Sequence, residues 1–282
     1  ASSYNATGLT PKISYTFSLY AQNTGGRGAV STTSATPYTT PNAPATFNST
    51  NGLLSVSLTW TPPTDNGGNA VNAYLLSYAN TNVTLPSTSS SLNVTNLNAK
   101  TLYNFTLAAV NAGGVGMPIS TSSTPYTVPS APLSFTAMNG SSSASLTWLP
   151  PSDNGGSTIL SYYLSYGTNN VTLPSSSSSY NATGLTSKTS YTFSLYAQNI
   201  GGSSVATTAT ATPYSVPSAP LSFTAINGLT SASLTWSPPL DNGGDVISSY
   251  YLSYGTNNVT LSSTASSYNA TGLTPKISYT FS

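Results

Sequence analysis

Cysteine and histidine are absent from the 282 residues, and only 3% of the side chains carry charge. Without thiols or imidazoles there is no thiol nucleophile, no Ser-His-Asp triad and no zinc site built from the usual donors. There is also no disulfide, so any domain must be stable on its core alone; this does not place the chain in the cytosol. Soluble proteins are on average roughly 25% charged. Here five Lys and Arg stand against four Asp and Glu, a net charge of +1. No basic patch exists to neutralise phosphates, which argues against nucleic acid as a partner. No apolar run reaches the ~18 residues of a membrane-spanning helix, and no signal peptide opens the sequence. With so little charge, hydroxyls, amides and attached glycans are the remaining routes to solubility, unless the chain is meant to associate.

What is present is repetition. SYNATGL occupies Ser3–Leu9, Ser179–Leu185 and Ser267–Leu273, with a degenerate copy, SLNVTNL, at Ser91–Leu97. Each step is 88 residues, as are the steps between Trp60, Trp148 and Trp236 and between the DNGG turns that begin at Asp65, Asp153 and Asp241. A period of this size signals a tandem array. Residues 1–18 are identical to residues 265–282, so the sequence opens and closes inside a repeat. The expectation is a window on a longer periodic chain.

One repeat, Thr127 to Tyr214, shows the grammar. In SASLTWLPP, Ala144, Leu146 and Trp148 alternate with Ser and Thr, the period of a half-buried strand. Pro150 and Pro151 end it, and Asp153-Asn154-Gly155-Gly156 turns the chain. In ILSYYLSY, Ile159, Tyr162, Leu164 and Tyr166 face the core while Tyr163 faces out. SYNATGL places Tyr180 and Ala182 inward. SYTFSLYAQN places Tyr191, Phe193, Leu195 and Ala197 inward and Tyr196 outward, and SVATTATATPY, Ser204–Tyr214, reads as the last strand. Seven short strands punctuated by turns, with no helical stretch, predict an all-β sandwich.

LTWLPPSDNGGSTILSYYLSYG resembles the hairpin between the second and third strands of fibronectin type III domains. GLTSKTSYTFSLYAQNIGGSS is similar to the corner and sixth strand of that family. The resemblance covers the whole chain and implies tandem seven-stranded immunoglobulin-like sandwiches. It also implies a tyrosine corner, in which the hydroxyls of Tyr15, Tyr103, Tyr191 and Tyr279 tie back to upstream backbone. The boundaries that follow are 1–38 for the end of one domain, 39–126 and 127–214 for two complete ones, and 215–282 for a fourth lacking its last strand. The family's Arg-Gly-Asp loop motif has no match, since Arg27-Gly28 is followed by Ala29.

One Asp per repeat supplies neither the paired carboxylates of acid–base catalysis nor a calcium cage. Asp65, Asp153 and Asp241 are therefore expected to bond their own turns, and Lys12, Lys100, Lys188 and Lys276 to stand alone in solvent. No catalytic, metal or cofactor site is expected; N-linked glycans are the one attachment the sequence invites. Asn-x-Ser/Thr triplets are common by chance in a chain this rich in Ser, Thr and Asn, so position matters more than number. Asn5, Asn93, Asn181 and Asn269 fall on the outward side of one strand, and Asn82, Asn170 and Asn258 on another. Outward Tyr163 and Tyr196, with Tyr251 and Tyr20 at the same two positions elsewhere, offer a contact surface for neighbouring copies or surface glycans. Leu75 and Ala108 take those positions in 39–126.

Near-identical repeats suit a spacer or fibre better than a specialised binding protein. The expected function is therefore an extracellular structural protein: a glycosylated stalk, sheath or filament on a cell or particle surface, self-associating laterally or end to end by strand exchange. The alternative is an adhesin or carbohydrate-binding spacer whose head domain lies outside this segment.

Overall fold

The computed structural model describes residues 2–282, and every regular element among them is a strand. The chain forms two compact units. One comprises Ala1–Pro129 with Asp153–Thr158 and Asn199–Gly202; the other comprises Ser130–Ser152, Ile159–Gln198 and Ser203–Ser282.

In the first unit, residues 39–126 form a sandwich of seven strands. Thr46–Gly52, Ser55–Thr61 and Ser91–Val94 make one antiparallel sheet, and Thr81–Pro86, Ala73–Tyr78, Tyr103–Asn111 and Gly114–Ser123 the other. Alternation along Ser55–Thr61 sends Val56, Leu58 and Trp60 inward and leaves the intervening Ser57 and Thr59 in water. Facing them are Tyr74, Leu76, Phe105, Leu107 and Ala109 from the second sheet. Burying each large side chain contributes about 1.5–3 kcal/mol. The remaining strands of this unit, Tyr15–Asn23 and Gly26–Ala35, form a hairpin whose residues are mostly exposed.

The second unit repeats the pattern. Leu133–Gly140, Ser143–Leu149 and Ser179–Thr183 form one sheet. Phe135, Ala144, Leu146, Trp148 and Ala182 pack against Tyr162, Leu164, Tyr166, Phe193, Leu195 and Ala197, as the alternation predicts. Ile159, Tyr180 and Tyr191 are partly buried at its margin. The predicted last strand, however, is broken. It runs as Gly202–Ser203 and then Thr207–Ala211. Ser204 turns inward instead, its hydroxyl accepting the Ala197 N–H (3.0 Å) and donating to the Val205 carbonyl (2.7 Å), which pushes Val205 into solvent. A polar side chain satisfied at the core edge outweighs continuation of the ladder.

Residues 215–282 contribute Leu221–Asn227, Ser231–Ser237 and Ser267–Thr271 in one sheet and Ser249–Tyr254 with Asn257–Ser262 in another. Phe281 bridges Tyr254. Phe223 is 42% exposed, whereas its equivalents Phe47 and Phe135 are 6% and 9% exposed. The strand pair that closes the sandwich in 127–214, Tyr191–Asn199 with Thr207–Ala211, has only the beginning of a counterpart here.

The tyrosine corner expected from the family resemblance is present four times. The backbone N–H groups of Thr10, Asn98, Thr186 and Thr274 donate to the hydroxyls of Tyr15, Tyr103, Tyr191 and Tyr279, at 3.0–3.2 Å.

Candidate functional site at the repeat junctions

The corner that each tyrosine closes also carries a lysine in the left-handed backbone region, with φ of 66°, 60°, 63° and 66° for Lys12, Lys100, Lys188 and Lys276. That conformation costs a residue with a Cβ about 1–2 kcal/mol, and glycine would adopt it freely. Four repeats keep lysine there, and the structure shows a use for its side chain. Lys12, Lys100 and Lys188 reach across to the carboxylates of Asp65, Asp153 and Asp241, each belonging to the DNGG turn of the following repeat. The expectation of solitary solvated lysines is therefore corrected for these three. The chain has nine charged residues (five plus four), and six of them form these three pairs.

The turn is built to receive the lysine. Asp153 Oδ1 accepts the Gly155 N–H at 2.8 Å, an Asx turn as the sequence implies, while Oδ2 takes the Lys100 ammonium. Both glycines are required. Gly155 has φ +74°, and a Cβ there would lie 2.2 Å from the Thr127 carbonyl oxygen. Gly156 has φ +83°, and a Cβ there would lie 2.9 Å from Lys100 Cγ, so the missing side chain leaves room for the lysine stem. Gly67 and Gly243 crowd the carbonyls of Thr39 and Ser215 in the same way, and Gly68 and Gly244 leave room for the stems of Lys12 and Lys188 from the preceding repeat.

The backbone between repeats has almost no slack. On one side Lys100 N–H donates to Pro125 O (2.8 Å), Tyr126 N–H to Gly52 O (3.1 Å) and Leu54 N–H to Tyr126 O (2.9 Å). On the other side Thr127 N–H donates to Gly155 O at 2.8 Å. Tyr126 is thus fastened to one repeat and its neighbour Thr127 to the next. Tyr214 and Ser215 are fastened the same way, through Gly140 and Ser142 before and Gly243 after. The flexible joint is reduced to the bonds between two adjacent residues, and the Lys–Asp pair spans it.

Two further residues belong to the site although sequence reasoning passed over them. Asn199 is buried, and its Nδ2 donates to Thr127 O and Asn154 O, both at 2.8 Å, while its Oδ1 accepts Gly201 N–H at 2.7 Å. Asn111 does the same for Thr39 O, Asn66 O and Gly113 N–H. Their signal was an Asn two residues before a glycine, recurring every 88 positions at Asn23, Asn111 and Asn199. Asn199→Ala is expected to leave two carbonyls and an N–H without partners, at a cost of about 1–3 kcal/mol. Chemical denaturation of the chain should show the loss in the transition of 127–214 and not in that of 39–126.

The pairing sets the electrostatics. The lysine hydrogen bond first, and the glycine N–H second, hold the Asp65, Asp153 and Asp241 carboxyls below their ordinary value of 3.8. Each carboxylate is nearly half exposed. Exposed ion pairs add little to stability, so the pair acts chiefly on position.

The other residues singled out from sequence lie away from the junctions. Tyr163 and Tyr196 are register partners on neighbouring strands, with ring centroids 6.0 Å apart and planes at 53°. Tyr251 is exposed, and Tyr20, also exposed, lies under the Arg27 guanidinium at 5.8 Å. Asn5, Asn82, Asn93, Asn170, Asn181, Asn258 and Asn269 are all exposed. Among the described residues no three His, Cys, Asp or Glu side chains gather as metal ligands, and no helix is long and apolar enough to cross a membrane.

Paired antiparallel sheets and a buried tryptophan in each of three successive repeats, with four tyrosine corners along the chain, define a tandem array of immunoglobulin-like sandwiches. The chain belongs to the fibronectin type III family: the model of the Fibronectin type III domain matches residues 42–126, 128–213 and 215–282. Among curated proteins, Exoglucanase B of Cellulomonas fimi is 33% identical over 226 residues, covering 73% of this chain and 21% of that one. Fibronectin type-III domain-containing protein 3a of Gallus gallus is 30% identical over 278 residues, 88% of this chain and 23% of that one. Receptor-type tyrosine-protein phosphatase eta of Gallus gallus is 30% identical over 238 residues, 82% and 16% respectively. The chain therefore spans about a fifth of the length of these relatives.

Proposed function

We propose that this chain is an extracellular, non-catalytic spacer that holds flanking parts of a larger assembly at a set separation. The observation that carries this reading is the repeat junction, where a joint of two adjacent residues is spanned by a Lys–Asp pair. A flexible tether has no need of such a device, because slack residues alone suffice. Relatives named as a receptor-type phosphatase and as an exoglucanase contain similar segments within much longer chains, which supports a structural part in a surface or secreted protein. In finer terms the spacer is a stalk, sheath or filament on a cell or particle surface. N-linked glycans on the exposed asparagines supply the solubility that charge does not, and neighbouring copies associate through the outward tyrosines.

A second reading, a carbohydrate-binding or adhesive spacer, is favoured by the Tyr163–Tyr196 pair set among uncharged hydroxyl and amide groups, together with relatives named as an exoglucanase and a chitinase. Sedimentation of the chain with microcrystalline cellulose and with chitin separates the two. A spacer stays in the supernatant. Retention that disappears in the Tyr163→Ser, Tyr196→Ser double variant would replace the spacer reading with the second.

A further inference from the structure

Every side-chain carboxylate on this chain is an aspartate, and three of the four sit in the junctions. The charged groups facing those carboxylates are Lys12, Lys100 and Lys188, one at each junction. The rest of the charge is elsewhere. Arg27 lies over the Tyr20 ring, Asp245 accepts the N–H of the next residue, Val246, and Lys276 lies within the fourth tyrosine corner. Among the described residues, the buried polar side chains are Asn111, Ser123, Asn199 and Ser204, none of which acid charges.

We infer that the repeat junctions are acid-released joints: protonating the junction aspartates frees adjacent repeats to swing about the two-residue joint while each sandwich stays folded. This rests on the spacer reading and extends it from geometry to regulation. The sign follows from the pairing. A carboxylate held below its ordinary 3.8 by a bound cation gives its contribution in full above that value. The contribution is lost as pH falls through the depressed value. Once Asp153 is neutral, the ammonium of Lys100 loses the charge it is held by, and the lysine stem is free to leave Gly156. The ties between Thr127 and Gly155 and between Asn199 and Thr127 remain, because they involve no titratable group. Those ties fasten the linker to its own repeat and leave the joint itself unbraced. High salt should act in the same direction, since screening shortens to roughly 3 Å at 1 M.

The absence of native cysteine makes the test direct. Spin labels on Ser175→Cys and Ser263→Cys, equivalent exposed positions in successive repeats within the second unit, report the spread of inter-repeat distances by pulsed dipolar spectroscopy on the full chain. The expected result is a single narrow peak at neutral pH that is lost below pH 3.8, with the near-ultraviolet circular dichroism of the buried tryptophans unchanged. Lys188→Gly relieves the left-handed strain (φ 63°) while removing the cation that pairs with Asp241, so it should fold as well as the parent and show the broad distribution at neutral pH. A distribution in the parent that stays narrow through the acid range would overturn the inference, as would a Lys188→Gly chain that remains narrow at neutral pH. Loss of the tryptophan signal in the same step as the broadening would also overturn it, because the joint would then not be separable from the fold. Failure of the spacer reading would show instead as retention on polysaccharide, which this measurement does not detect.

Discussion

Replacing Gly155 by alanine is expected to disrupt the junction between the second and third repeats and to destabilise the 127–214 sandwich by roughly 2–4 kcal/mol. Two costs add. The residue has φ +74°, where a Cβ is strained whatever surrounds it. That Cβ would also stand 2.2 Å from Thr127 O and 2.7 Å from Val128 O, both backbone atoms that cannot rotate away. Relief requires the Thr127 segment to lift, which breaks the Thr127–Gly155 hydrogen bond and moves Asp153 off Lys100. Amide hydrogen exchange is the measurement: Thr127 should lose its protection, while the strands of 39–126 keep theirs. Unchanged protection at Thr127 would mean that the close approach is not a constraint.

The second large effect is in the core. Trp148 is buried between Phe135 and Tyr162, edge to face with each at 6.4 and 5.6 Å. Trp148→Ala is expected to cost about 3–5 kcal/mol, a large share of the roughly 5–15 kcal/mol that stabilises a typical domain. The indole N–H has no hydrogen-bond partner, and the same holds for Trp60 and Trp236. A buried unpaired donor carries a desolvation penalty. Trp148→Phe should therefore be much milder than the alanine change, because it trades lost volume against a penalty removed. Thermal unfolding followed by differential scanning calorimetry should place the effect in one repeat. The 39–126 transition should stay where it was while that of 127–214 falls. Equal destabilisation by Phe and Ala would show that the N–H is satisfied.

The sandwich and its period were legible because each depends on signals within one repeat. Alternation in SASLTWL puts Ala144, Leu146 and Trp148 on one face, and the corner tyrosine lies six residues after a buried leucine in 127–214. The junction was not legible from a repeat read alone. Lys100 and Asp153 are 53 residues apart and belong to different repeats, so each looks like an isolated surface charge. The signal lay in comparing two periodic series, since Lys12–Asp65 and Lys188–Asp241 share that offset. The break at Ser204 was hidden for another reason. A serine in a Ser/Thr-rich strand carries no mark of whether its hydroxyl will turn inward to the Ala197 N–H. Tyr163 and Tyr196 are partners on adjacent strands, a pairing that strand parity and sheet order together determine.

Mechanical unfolding of the full chain, pulled from its two ends, tests the central claim most directly. A spacer of separately folded sandwiches joined without slack should extend little at low force and then unfold stepwise. The complete repeats 39–126 and 127–214 should give separate events, each releasing roughly 250–300 Å of chain. A chain that lengthens smoothly, or that releases both repeats in one event, would contradict the account.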